Sequence, residues 1–227
     1  AAVPEDNIER AEARRRGIPE LSYAQALGQV SRQYRTIVVT GTHGKSTTTA
    51  MLGRILEASG LDPLVIVGSK VPEWGNSNLR LPVSGVRCQV SGVSQFFVVE
   101  GDDYQDHFLE LQPDAVVVTN IEWDHPDYFR DLTHTVESFR ALIEKVKEDG
   151  FVVLNEDDLG CRQLAESMSH SPFRAKRRMA GYGSGEEMFL KLPLQVPGVF
   201  NRYNATAAAM AARELDVPRD VIEKALG

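Results

Sequence analysis

Thr36-Ile37-Val38-Val39-Thr40-Gly41-Thr42-His43-Gly44-Lys45-Ser46-Thr47-Thr48-Thr49 is the stretch whose reading decides the fold. Its first four residues are a short apolar, β-branched run, the composition of a buried strand. Ala50-Met51-Leu52-Gly53-Arg54-Ile55-Leu56 follows with apolar residues at helical spacing. A glycine-bearing turn between strand and helix is the setting in which a backbone cradles an anion. Glycines allow close approach, and the helix start offers unpaired N–H donors and a partial positive charge. In such a loop Lys45 reaches terminal phosphates and the Ser46 hydroxyl holds Mg²⁺. The general pattern GxxxxGK[ST] asks for glycine at position 39, where this chain has Val39; Gly44-Lys45-Ser46 is intact and Gly41 supplies a nearer glycine. The competing reading is a chance Gly-Lys-Ser on a solvated helix start. The strand before, the helix after and the hydroxyl run Ser46 to Thr49 weigh against it.

Outward from this loop the chain alternates strands and helices. Ser22-Tyr23-Ala24-Gln25 caps a short helix before the first strand, and Arg10 to Arg16 forms a charged, solvated face. Gly60 stops the helix after the loop. Leu64 to Val67 is a second strand closed by Gly68, and residues 69–95 read as loop. Gln95 to Val99 is a third strand ending at Glu100, and Ala115 to Thr119 a fourth ending in Asn120-Ile121-Glu122-Trp123-Asp124-His125. A helix from Thr133 carries Val136, Phe139, Leu142, Ile143 and Val146 on one face and is ended by Gly150. Phe151 to Leu154 is a fifth strand, followed by a helix to about Met168 and a short strand at Arg178 to Gly183. Met188 to Gln195 alternates weakly and reads as an edge strand; helices follow from about Arg202 to Glu214 and after Pro218. Short strands apolar on both faces, alternating with helices, define an α/β domain with a mainly parallel sheet. Ligands of such sheets sit at the carboxyl ends of the strands, where Gly41 to Ser46, Glu100 and Asn120 to His125 all fall.

The 227 residues are 42% hydrophobic and 25% charged, with a formal net charge of −7. That balance is ordinary for a globular domain and argues against nucleic-acid binding by bulk charge. No apolar run has the length of a membrane span. Cys88 and Cys161 lie far apart and form no metal-ligand pair, so buried free thiols in a reducing cytoplasm are expected.

The hard-oxygen candidates for Mg²⁺ are Ser46 and Glu100. Glu100 follows Phe96-Phe97-Val98-Val99, so a strand end holds it at the crevice; its bland alternative is a solvated carboxylate. His125 is a softer ligand, suited also to orienting water or a carboxylate, and gains weight from its place after a buried strand beside Asp124. Asp102, Asp103 and Asp106 read singly as loop acids.

Five segments in order carry a resemblance: Gly41-Thr42-His43-Gly44-Lys45-Ser46-Thr47-Thr48, Val98-Val99-Glu100, Thr119 to His125, Asn155-Glu156-Asp157-Asp158, and Pro197-Gly198-Val199-Phe200-Asn201-Arg202-Tyr203-Asn204-Ala205. The chain resembles the central, ATP-binding domain of the Mur ligases over nearly its whole length. Ala2-Val3-Pro4-Glu5-Asp6-Asn7 and Trp123 to Tyr128 look most like the branch that joins L-alanine to UDP-N-acetylmuramate, with the murein-peptide branch second. The resemblance implies a three-layer, P-loop NTPase-like domain at 36–227, a lead-in from a preceding domain at 1–35, and absent N- and C-terminal Mur domains. It implies ATP and Mg²⁺ as cofactors and amide formation through an acyl phosphate in the cytoplasm, with catalytic roles for Lys45, Glu100 and His125. By the same match Gly41, Thr42, His43, Gly44, Lys45, Ser46 and Thr47 bind phosphate. Ser46 and Glu100 hold one Mg²⁺, His125 helps hold a second, and Asn201 and Asn204 contact the adenine side. Several branches use a carbamylated lysine in the helix after the histidine segment; Arg140 stands near that place, which is compatible with the alanine-adding branch. Two departures bear on function. Phe200 replaces the usual histidine, and the span between Gly183 and Pro197 is too short for the family's small antiparallel sheet. They keep open a non-catalytic nucleotide-binding or regulatory module. A related ligase for another substrate, such as folate-polyglutamate, is the weaker alternative.

Overall fold

The computed structural model describes residues 3–83, 96–169 and 176–227. Ala2, Cys88 and Gln95, which enter the sequence reading, lie outside the described residues, as does part of the 69–95 stretch. The elements are α1 (Ile8–Arg15), α2 (Tyr23–Ser31), β1 (Arg35–Thr40), α3 (Lys45–Ala58), β2 (Leu64–Val71), β3 (Ser77–Arg80), β4 (Phe96–Glu100), β5 (Ala115–Val118), α4 (Leu132–Glu144), β6 (Phe151–Asn155), α5 (Leu159–Ser167), β7 (Arg178–Tyr182), α6 (Glu187–Lys191), α7 (Val199–Arg213) and α8 (Arg219–Leu226). Seven strands form one sheet in the order β3-β2-β4-β1-β5-β6-β7. All neighbours are parallel except β2 and β3.

The strand alternation explains the three layers. Ile37 and Val39 of β1 face one side with Leu52, Ile55 and the alanines of α7, while Val38 faces the other with Phe97, Phe139 and Ile143. Successive side chains of a strand point to opposite faces, so a strand apolar at every position must be covered twice. Helices α3, α7 and α8 cover one face, and α4 and α5 the other. α2 begins with the expected capping box, Ser22 and Gln25 exchanging side-chain and backbone bonds, and Leu27 and Val30 dock it on the second core.

Two sequence expectations are corrected. Gly68 does not close β2, which runs on to Val71 and pairs with β3, a strand unforeseen inside the 69–95 stretch. A Cβ at position 68 would lie 2.8 and 2.9 Å from the carboxylate oxygens of Glu100. Glycine there serves close approach within a strand rather than termination. The segment Met188 to Gln195 is not an edge strand; it opens with helix α6. Met188, Phe189 and Leu192 are buried at helical spacing, and Met188 and Leu192 join the core beneath α7. That burial outweighs the weak alternation.

Candidate functional site

β1 lies at the centre of the sheet, so the turn after it emerges between the ends of β4 and β5. Gly41 and Gly44 adopt φ of +136° and +82°, a region L-residues rarely enter. Their surroundings also exclude side chains. A Cβ at 41 would stand 2.1 Å from Thr119 Oγ1, and one at 44 would stand 2.2 Å from Asn204 Oδ1. The segment after β5 clamps the loop. Thr42 N–H donates to the Asn120 carbonyl at 3.1 Å, and His43 N–H to Asn120 Oδ1 at 2.8 Å. The Thr119 hydroxyl donates to the His43 carbonyl at 2.6 Å, and Glu122 N–H to Thr42 Oγ1 at 2.8 Å. The His43 ring is exposed.

The first helical bond of α3 runs from Thr48 N–H to the Gly44 carbonyl at 3.0 Å. The N–H groups of Gly44 to Thr47 lie ahead of it and have no partner within the helix. Lys45 begins the helix; its Nζ donates to the carbonyls of Gly41 (2.7 Å) and Thr42 (3.3 Å) and to Asp103 Oδ1 (2.8 Å). Asp103 is 2% exposed, so this ion pair is largely shut off from water. The Ser46 hydroxyl donates to Glu100 Oε1 at 3.1 Å, and Gly68 N–H donates to Glu100 Oε2 at 2.5 Å. β4 thus delivers a carboxylate to the first turn of α3, where Thr47 is half-buried.

His125 stands apart from this group. Its φ is +51°, its backbone N–H donates to Asp124 Oδ1 at 2.7 Å, and its ring lies 4.7 Å from that of Tyr104. Tyr104 donates to Asp127 Oδ2 at 2.7 Å, and this bond raises the phenol above its usual pKa. A cleft of about 1270 Å³ runs from Lys45 and Glu100 past Tyr104 and His107 to Arg10 and Tyr23; His125 does not line it. Arg140, on α4, pairs with Glu144 at 2.9 Å.

Of the two asparagines, Asn204 is 8% exposed and abuts Gly44, whereas Asn201 donates to the Pro197 carbonyl at 2.8 Å. Between them Tyr203 donates to Asp157 Oδ2 at 2.7 Å, tying α7 to the end of β6. Asp157 also accepts Ser184 N–H at 2.6 Å. That bond first, then the tyrosine, holds the carboxyl below its ordinary pKa. A depressed folded-state value contributes stability above the unfolded pKa and loses it as pH falls through the folded one. Asp157→Asn is therefore expected to flatten the fall of melting temperature between about pH 5 and pH 3.

Sequence reasoning underrated Asp103, which stood only as a loop acid; an acid three residues beyond the strand-end glutamate was the available signal. The clamping role of Thr119 and Asn120 had no local signal, because their partners lie about 80 residues earlier in the chain.

A parallel α/β sheet with a phosphate-type loop after its central strand defines a P-loop-like domain. The profile of the Mur ligase middle domain matches residues 39–212, and the chain belongs to the Mur ligase family. It is 36% identical over its whole length to a UDP-N-acetylmuramate–L-alanine ligase of Arthrobacter sp. (strain FB24), of which it covers 50%. It is 34% identical to one of Desulfitobacterium hafniense (strain Y51), of which it covers 51%. The chain thus spans about half the length of these curated relatives. Among solved structures, UDP-N-acetylmuramate:L-alanyl-gamma-D-glutamyl-meso-diaminopimelate ligase from Neisseria meningitides matches with TM-score 0.79 and 28% identity, over 99% of this chain and 76% of that one. UDP-N-acetylmuramate-alanine ligase MurC from Thermotoga maritima matches with TM-score 0.73 and 24% identity, over 99% and 52%, and supports the fold. No helix among the described residues is long and apolar enough to cross a membrane.

Proposed function

We propose that residues 36–227 are the ATP-binding core of an ATP-dependent, amide-forming ligase of peptidoglycan precursor synthesis. In the whole cytoplasmic enzyme the substrates are UDP-N-acetylmuramate and L-alanine, joined through an acyl phosphate. Residues 1–35 lead in from a preceding Mur domain, and a further domain brings the amino acid. The observation that carries this reading is the Ser46–Glu100 pair: Ser46, on the first turn of α3 beside Lys45, lies 3.1 Å from the Glu100 carboxylate at the end of β4.

The donor chemistry fits Mg²⁺. A hydroxyl and a carboxylate are hard ligands, and among the described residues no group of three or more His, Cys, Asp or Glu gathers to enclose a metal. Mg²⁺ is commonly held by one or two protein oxygens, with waters and phosphate oxygens filling its octahedron. When bound at Ser46 and Glu100 it neutralises charge on the transferred phosphoryl group. The N–H groups of Gly44 to Thr47 face the phosphates at the positive end of α3. The N–H groups of Thr42 and His43 instead hold the loop on Asn120. Lys45 Nζ leaves the carbonyls of Gly41 and Thr42 to meet the β/γ-phosphates. The cleft beside Glu100 receives the acyl substrate, so that its carboxylate lies in line with the γ-phosphate. His125, on the neighbouring loop, would help hold the second Mg²⁺, and Asn204 and Asn201 would contact the adenine side of the nucleotide.

Titration calorimetry of the 227-residue chain tests the nucleotide half. Mg-ATP binding is expected, abolished by Lys45→Ala and stripped of its Mg²⁺ dependence by Glu100→Gln. Unchanged Mg-ATP affinity in Lys45→Ala would sink the reading. The Neisseria structure, at TM-score 0.79, supports a murein-peptide ligase as the second reading. Phe200, at the position of the family's usual histidine, supports a non-catalytic module as the third. Phosphate release with UDP-N-acetylmuramate and L-alanine, after the flanking domains are supplied, separates the three.

A further inference from the structure

A lysine ammonium has three N–H donors and no acceptor. All three donors of Lys45 are taken: by the Gly41 carbonyl at 2.7 Å, the Thr42 carbonyl at 3.3 Å and Asp103 Oδ1 at 2.8 Å. To meet a phosphate the ammonium must release at least one of them, and they are not equal. Two are neutral carbonyls of the phosphate loop, and the bond to Thr42 is the longest of the set. The third is a carboxylate on a residue only 2% exposed. Releasing it would leave a buried charge without its partner, the most costly of the three exchanges. Asp103 is also fixed in place. Gly101 N–H, two residues earlier, donates to the Val39 carbonyl at 2.8 Å, and the Asp103 carbonyl accepts Asp106 N–H at 3.2 Å. The acid therefore rides on the end of β4, with Glu100, and not on the loop that receives the ligand.

We infer that Asp103 is the anchor of Lys45: when nucleotide binds, the ammonium keeps this carboxylate and exchanges the Gly41 and Thr42 carbonyls for phosphate oxygens. This deepens, and rests on, the nucleotide reading above. Lysine is a point charge on a flexible four-carbon stem, and fixing such a side chain on a ligand costs rotamer freedom. Held by Asp103 beforehand, Lys45 has already lost that freedom, so binding costs less. Without the lysine the same carboxylate would only repel a polyphosphate. Asp103 is thus a positioning residue, which acts on the ligand through Lys45 and has no contact of its own with it.

Calorimetry with Mg-ATP, and with inorganic tripolyphosphate and Mg²⁺, tests this on the 227-residue chain, Asp103→Asn and Asp103→Glu, with the melting temperature of each recorded. Asp103→Asn keeps the shape and removes the charge. Its expected result is about a tenfold loss of affinity for both ligands, since each is held by the same ammonium. Asp103→Glu keeps the charge but adds a methylene to a buried site, so it is expected to lower the melting temperature. Its affinity for both ligands is nevertheless expected within about threefold of the parent. Affinity that instead follows melting temperature across the three proteins makes Asp103 a packing residue and overturns the inference. A rise in affinity in Asp103→Asn overturns it as well, because it marks a carboxylate that competes with phosphate for the lysine. A parent chain that binds neither ligand removes the phosphate-loop reading itself, and the anchor with it. A parent chain that binds both while Asp103→Asn stays within about twofold of it removes the anchor alone.

Discussion

Lys45→Ala lowers the unfolding free energy by about 3 kcal/mol with no nucleotide present, because it strands a buried carboxylate. Asp103 is 2% exposed and its ion-pair partner is Lys45 Nζ at 2.8 Å. Removing one member of a buried pair leaves the other desolvated and uncompensated. Because the lysine side chain is 18% exposed, the low end of the usual range applies. Asp103→Asn keeps the shape and removes the charge, so the double variant Lys45→Ala/Asp103→Asn is expected to be more stable than Lys45→Ala alone. Denaturant unfolding of the four proteins of the cycle reads the coupling directly. Strict additivity of the two single losses would remove the claim. On the proposed function the double variant is still expected to fail to bind ATP, a result that would separate the structural duty of the lysine from the phosphate contact proposed for it.

Gly41→Ala is expected to cost about 3–5 kcal/mol, combining backbone strain with overpacking. The φ of +136° is one cause. The other is Thr119 Oγ1 at 2.1 Å from the added carbon, with the Asn120 carbonyl oxygen at 2.8 Å. Thr119 is not free to rotate away without loss, since its hydroxyl bonds the carbonyls of Thr40 and His43. Gly75→Ala provides the comparison. It also has a positive φ, +68°, but nothing lies within 4 Å of its Cβ position, so only about 1 kcal/mol of left-handed strain is expected. Equal melting temperatures for the two variants would show that the walls around Gly41 yield.

The places of Ser46, Lys45 and Glu100 in the fold were legible in the sequence because each sits at the end of a regular element. A buried strand aims its terminal residue, and a helix start fixes its first turn, so position along the chain translates into position in space. The layers were legible for a related reason: Ile37, Val38 and Val39 admit no solvated face. What escaped was set by partners distant in sequence. Gly68 looked like punctuation until Glu100, 32 residues later, came to lie against it. Asp103 looked like one loop acid among three until Lys45 reached it from 58 residues earlier. Met188 and Phe189 looked like part of a strand because local alternation carries no information about α7, the helix they pack beneath. Phe200 was visible as a departure from the family pattern, but its exposure is a property of the fold alone.

The central place of β1 also bears on how the chain is made. Synthesis proceeds from the N-terminus, so β1 leaves the ribosome first, yet its neighbours are β4 and β5. Neither edge of Arg35–Thr40 has a strand to pair with until Phe96 and then Ala115 have been translated. During that interval an apolar strand with two open edges is exposed to other nascent chains, the condition under which strands associate wrongly. β2, made next, offers no relief, since it pairs with β4 rather than β1. Truncated chains ending before Val118 would carry Gly41 to Ser46 without the wall that shapes it. The wall that shapes the loop therefore follows the loop itself in synthesis by 76 and 77 residues, from His43 to Thr119 and Asn120.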